Sequence, residues 1–106
     1  MLNELDVGFY KGEFKGKLLM HNQTLNKIFG IELTKSLVGT SSSQFFSDPN
    51  TRSDYYNKLL ANGSIHNFIA EIIIPTGEKF RAQLNCHLIR DRDGKPKEVE
   101  GTIIKI

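Results

Sequence analysis

The residues with chemistry to offer are one cysteine, three histidines and a pair of adjacent tyrosines. Cys86 and His87 stand side by side, a nucleophile next to a base. Both fall in a stretch that alternates: Phe80, Ala82, Leu84, Cys86 and Leu88 against Lys79, Arg81, Gln83, Asn85 and His87. Successive side chains of a strand point to opposite faces, so this thiol and imidazole cannot work as a pair. The phase puts Cys86 on the apolar face as a small buried hydrophobe and His87 on the polar one. His21, His66 and His87 share no metal-ligand spacing, and with no second cysteine a zinc site has no ligand set. No glycine-rich phosphate cradle is present, and the carboxylates fall mainly on turns or outward strand positions. Tyr55 and Tyr56 sit about 100° apart around a helix. One of them can face a sheet and offer its hydroxyl to a pocket, or the pair can pack with Leu59 and Leu60 as core. This inventory points to binding or packing, not catalysis.

Those residues need elements to hold them. Val7–Tyr10 reads as a strand, residues 12–16 as a glycine turn, and Lys17–His21 as a second strand closing a hairpin. Asn22 is a preferred helix N-cap, Leu25, Ile28 and Phe29 make an apolar stripe, and Gly30 supplies the stop. The stretch 31–37 predicts a further short helical turn, and Gly39 to Ser43 a small-residue loop. Asp48-Pro49 opens a longer helix with stripe Tyr55, Tyr56, Leu59 and Leu60, ended at Asn62-Gly63. From Asn67 to Ile106 the pattern gives three strands, turned at Pro75-Thr76-Gly77 and at Asp93-Gly94. Strands at both ends with helices between them predict an α+β fold, and no linker or repeat divides residues 1–106.

The totals narrow the class. A chain of 106 residues suits one domain with one core. Fourteen basic against twelve acidic residues leave a net charge of +2, too balanced for a nucleic-acid or membrane-surface partner. A single thiol forms no internal disulfide. Met1 to Asp6 carries no charged-then-apolar signal pattern, and no apolar run approaches the roughly 20 residues of a membrane helix. The expectation is a cytoplasmic domain without membrane contact of its own.

In their order these pieces resemble the PAS domain family over nearly the whole chain. The matching features are strand Val7–Tyr10, Gly16, strand Lys17–His21, Asn22 opening a helix that ends at Phe29-Gly30, and Leu37-Val38-Gly39. There follow Phe46 with Asp48-Pro49 and Arg52, Leu60 with Gly63, the turn Thr76-Gly77-Glu78, the turn Asp91 to Gly94, and Gly101 in the last strand. The resemblance implies a five-stranded antiparallel sheet with short helices packed on one face around a small cavity. It implies a non-catalytic sensor or dimerisation module, as found in sensor histidine kinases of two-component systems. The family's last strand often runs into Asp-Ile-Thr; here the sequence reads Ile104-Lys105-Ile106, and that aspartate is not seen. A flavin-reactive cysteine or a proximal haem histidine would lie in the helical region, where this chain has neither, so the sequence requires no cofactor.

The candidate ligand pocket is Met20, Phe46, Tyr56, Leu60, Ile72, Leu84, Cys86 and Ile103. The outer sheet face carries Ile69, Ile73, Ile89, Ile104 and Ile106, read as a patch that meets a second subunit or a flanking helix of a parent protein. A ligand-free interaction module, its interior filled by the seven phenylalanines, is the rival reading. A flavin- or haem-bearing photosensor or redox sensor is the third.

Overall fold

A computed structural model of the chain describes residues 7–106, and the N-terminal stretch 1–6, whose sequence lacks a signal pattern, lies outside them. The elements run β1 (Val7–Glu13), β2 (Leu18–His21), α1 (Gln23–Phe29), a 3-10 turn (Ser42–Phe45), α2 (Pro49–Asn62), β3 (Ser64–Ile73), β4 (Lys79–Arg90) and β5 (Pro96–Lys105). The strands form one antiparallel sheet in the order β2-β1-β5-β4-β3. The two ends of the chain therefore interlock, with β5 inserted between β1 and β4.

Local chemistry fixes the helix ends. The Asn22 side chain accepts from Leu25 N at 3.1 Å and from Phe9 N at 3.0 Å, and donates to the Val7 carbonyl. One residue thus caps α1 and ties it to β1. Gly30 and Gly63 close the two helices with φ of 69° and 76°, where a side chain would be strained. Asp48 caps α2 through Asn50 N at 2.8 Å, ahead of Pro49 at the first helical position.

Both helices lie on one face of the sheet. α1 packs over β1 at Gly8, where an added Cβ would come within 3.2 Å of Leu25, Ile28 and Ile103 side-chain atoms. α2 presents Tyr55, Tyr56 and Leu59 to the sheet. The inner face supplies Ile65, Phe68, Ala70 and Ile72 from β3, Ala82, Leu84 and Cys86 from β4, and Val99 and Ile103 from β5.

Three local features depart from the sequence reading. The stretch 31–37 is not helical: Lys35 N bonds the Glu32 carbonyl in a turn, and the chain then runs irregularly to Leu37. The small-residue loop passes into the 3-10 turn 42–45, which buries Phe45. The β4–β5 turn is a longer loop, with Asp91 N on the Lys95 carbonyl and the Asp91 carboxylate accepting from Asp93 N and Lys95 N. Among the described residues no helix is long and apolar enough to cross a membrane.

Candidate functional site

An apolar cavity of about 80 Å³ lies between the inner sheet face and the helices. β1 contributes Tyr10 and Gly12, β2 Leu18, α1 Leu25 and Phe29, and α2 Tyr55 and Tyr56. Phe45 and Phe46, with Ile72, Leu84, Val99 and Ile103 of the sheet, complete the walls, and Glu13 and Ser42 also line it. Aromatic rings make up much of that wall. Phe46 and Tyr55 have centroids 4.9 Å apart, Tyr55 and Tyr56 5.4 Å, and Phe14 and Tyr56 5.3 Å in an edge-on contact.

One cross-strand row gives the cavity its polar end. Tyr10 of β1 pairs with Gly101 of β5, which pairs with Cys86 of β4. Gly101 has no side chain, so the row is open in its middle. The Tyr10 hydroxyl lies 3.2 Å from the Tyr55 hydroxyl, which lies 3.3 Å from Cys86 Sγ. Burial pushes the Tyr10 phenol far above its ordinary value, with the neighbouring Cys86 adding to the shift. Burial, then the adjacent Tyr10, does the same to Tyr55. Cys86 is also pushed up by burial, offset in part by hydrogen bonds to the two hydroxyls. A protonated buried thiol is a poor nucleophile, so this geometry offers packing and hydrogen bonding in place of covalent chemistry.

Tyr56 is raised by burial as well, opposed by Ser42 and Arg52, so all three tyrosines are shifted one way. Below the ordinary phenol value of about 10 both folded and unfolded chains hold these protons, and the fold keeps its full stability. Above that value the unfolded chain ionises first, so stability falls as pH rises toward the folded values. The expected result is that phenolate absorbance stays flat through the ordinary range and then appears together with loss of the far-ultraviolet dichroism. A smooth titration near pH 10 with the secondary structure intact would contradict the buried hydroxyl cluster.

Of the eight pocket residues read from sequence, the cavity gathers Phe46, Tyr56, Ile72, Leu84 and Ile103. Met20 is 48% exposed and points away. Gly12 pairs with Leu18 but Lys11 pairs with Met20, so Leu19 is an extra residue on β2. That bulge turns Met20 to the outer face, against the alternation that starts from Leu18. Leu60 is 39% exposed, one residue beyond the buried stripe that ends at Leu59. Cys86 is buried but stands behind Tyr55, in contact with its hydroxyl and not with the cavity. The sequence reading missed Tyr10, although Gly8, Tyr10 and Gly12 share the inner phase of β1. A large polar-tipped residue between two glycines on a core-facing strand was the available signal.

The histidines lie elsewhere. His21 accepts from Leu37 N at 3.0 Å through Nε2, while Nδ1 donates to the Asn22 carbonyl, so the ring staples the 31–37 stretch to the start of α1. His66 and His87 are exposed. Among the described residues no group of three or more His, Cys, Asp or Glu side chains could hold a metal. A flavin or haem does not fit the cavity: about 80 Å³ is well under the ~300–1,000 Å³ of ordinary ligand sites, and no histidine lines the walls.

The outer-face isoleucines do not form one continuous apolar patch. Ile69 and Ile104 share a cross-strand row, Val7–Ile104–Gln83–Ile69, with Gln83 between them. Ile106 N bonds the Arg81 carbonyl, and Arg81 pairs with Glu71, so Ile106 adjoins the next row of the face. Ile73 is opposite Lys79, at the far end of β3. Ile89 stands apart beside Glu98, six residues or ~20 Å along β4 from Gln83. Phe9 and Val7 join this face from β1. The patch is thus interrupted by polar side chains and does not include Ile89.

A single antiparallel sheet with helices on one face and an apolar cavity beneath them defines a class of small α+β domains. No protein-family model and no curated protein matches the sequence, but solved structures do match the fold. The PAS domain of a protein from Colwellia psychrerythraea superposes with a TM-score of 0.75 at 10% identity, over 97% of this chain and 88% of that one. A light-oxygen-voltage domain studied with a flavin analogue gives 0.73 at 17% identity, over 99% and 81%. The Rhodobacter sphaeroides LOV protein gives 0.72 at 14%, covering 94% of this chain and 59% of that longer one. The fold of this chain is the PAS fold.

Proposed function

We propose that this chain is a non-catalytic sensor module of a larger signalling protein, with a sensor histidine kinase as the parent that the sequence resemblance implies. The observation that carries this reading is the apolar cavity with one polar end, enclosed between sheet and helices of a PAS fold. A small ligand there touches α1, α2 and the central strands at once. It therefore has different contacts in any state that repacks a helix, which is the requirement for shifting a conformational equilibrium. The test is the native mass of the freshly purified domain beside its denatured mass. A mass excess lost on denaturation supports a bound ligand; a native mass with no excess in every preparation, including from cells fed diverse small molecules, counts against it.

A second reading is a ligand-free interaction module. It is favoured by the small volume of the cavity and by the rings that crowd it, such as Phe29 against Phe45 at 5.3 Å. In both readings the outer face is the surface proposed to meet a second copy or a flanking helix. Ile69 and Ile106 are 43% and 54% exposed there. Changing Ile69 and Ile104 together to glutamate is expected to weaken self-association by ~10-fold or more, the scale of losing central apolar contacts. Ile89→Glu, outside the patch, is expected to leave it unchanged. Sedimentation across a concentration series reads both, and equal dissociation constants for all variants would remove the interface.

A further inference from the structure

The polar end of the cavity keeps its hydrogen bonds to itself. The Tyr10 and Tyr55 hydroxyls meet at 3.2 Å, Tyr55 meets Cys86 Sγ at 3.3 Å, and a bond between Cys86 and the Tyr10 hydroxyl closes the ring. Two O–H groups and one S–H supply three donors for three links, so none is left over. The other polar groups of the wall are engaged too. The Ser42 hydroxyl donates to the Gly16 carbonyl at 2.9 Å, and the Tyr56 hydroxyl bonds Ser42. Tyr10, Leu84, Val99 and Ile103 each lie between two paired strands, which take up their main-chain groups. Among the described residues the one buried side-chain oxygen or nitrogen without a partner is Asn26 Oδ1, and Asn26 does not line the cavity.

The wall offers no more to a charge. No lysine, arginine or histidine lines the cavity, so a carboxylate or phosphate finds no counter-charge. The acidic lining residue, Glu13, is exposed, and its carboxylate accepts from Lys17 N at 2.9 Å. An ammonium would leave water for a solvent-screened partner, which is a weak attraction. Volume sets the size. An engineered cavity of ~150 Å³ takes up benzene, with its six carbons. In proportion, about 80 Å³ holds roughly three or four heavy atoms.

We infer that the cavity selects a short hydrocarbon of about three or four carbons, a ligand that needs no hydrogen bond and brings no charge. A polar molecule of the same size would give up its bonds to water and find nothing in the wall to replace them. This rests on the ligand-binding reading above and gives it a chemical class.

Isobutene, acetone, acetate and isopropylammonium share one small branched skeleton. They carry, in turn, no polar atom, one acceptor, a negative charge and a positive charge. Each is titrated into the protein while the methyl resonances of the lining residues Ile72, Leu84 and Ile103 are followed. Isobutene is expected to bind at least ~10-fold tighter than acetone, because the ketone oxygen is buried without a donor. Neither ion is expected to shift those methyls. Val99→Ile adds a methylene to the wall and is expected to weaken isobutene at least ~3-fold by filling the space. The comparison of probes in the unmodified protein holds whether or not that variant folds. Acetone or either ion binding as tightly as isobutene overturns the ligand class but leaves the ligand-binding reading standing. Isobutene affinity unchanged in folded Val99→Ile puts the hydrocarbon outside this cavity and overturns the class in the same way. If no probe shifts the methyls the class falls, and a native mass without excess takes the ligand-binding reading with it.

Discussion

Asn26→Asp is expected to destabilise the domain by ~3–5 kcal/mol at neutral pH and to recover part of that loss on acidification. Asn26 is 0% exposed, in the middle of α1. Its Nδ2 donates to the Glu32 carbonyl at 2.7 Å and to the Lys35 carbonyl at 2.6 Å. Those two bonds hold the irregular stretch after α1 in place. Its Oδ1 has no partner. Aspartate is nearly isosteric, but it replaces the double donor with a second acceptor and sets a buried charge against two carbonyl oxygens. The fold then prefers the protonated acid, so the variant's folded value lies above the ordinary carboxylic value of about 3.9. Its stability relative to the unmodified protein is therefore greatest below that value and falls as pH rises through the raised one. Asn26→Leu removes the same bonds without the charge and relieves the orphaned Oδ1, so it is expected to cost less, ~1–3 kcal/mol. Urea midpoints for both variants near neutral pH and near pH 4 check the signs. A loss independent of pH, or equal for the two substitutions, would mean that burial of charge is not what hurts.

The sequence carried those parts of the fold that depend on local chemistry. Asn22, Gly30, Asp48-Pro49 and Gly63 end the helices where their cap geometry demands. The alternation of β4 survives unbroken from Phe80 to Leu88 and that of β5 from Val99 to Ile103, so Leu84 and its partner Ile103 reach the cavity as their phases require. What was not legible comes from pairing. The bulge at Leu19 is invisible until β2 is laid against β1, and it is what moved Met20 out of the site. A second irregularity spans Ile65 to Phe68, where Asn67 takes a φ of 55° and its N–H bonds the Asn85 side chain. It puts two apolar residues three apart on the same face, outside any strict period of two. Tyr10 was missed for a related reason. Its importance depends on Cys86, which is 76 positions away, and on Tyr55, which is 45 away. Only the insertion of β5 between β1 and β4 brings the three together.

That insertion makes Gly101 the position where the smallest substitution should do the most harm. Gly101→Ala is expected to cost ~3 kcal/mol or more, at or above the upper end of ordinary overpacking. A Cβ there would run into the Asn85 carbonyl oxygen and Cys86 Cβ, and would lie 2.7 Å from Cys86 Cα. Two of these are main-chain atoms of the neighbouring strand, so no rotamer change relieves the contact. The strands must separate, and β4–β5 pairing is continuous from Ala82–Lys105 to Ile89–Glu98. The same methyl enters the gap between Tyr10 and Cys86, so the hydroxyl cluster is lost together with the pairing. Gly8→Ala is the informative contrast. Its added Cβ meets the side-chain carbons Ile103 Cγ2, Leu25 Cδ1 and Ile28 Cδ1 at 2.9–3.2 Å, which can shift by rotation. It is expected to cost ~1–2 kcal/mol. Thr102→Ala, next along β5 but on the outer face, is expected to stay within about 0.5 kcal/mol. Urea denaturation of the three variants gives the ranking directly. If Gly101→Ala is no worse than Gly8→Ala, β5 does not approach β4 as closely as this register requires. The row in which Gly101 separates Tyr10 from Cys86 would then not hold the hydroxyl cluster together.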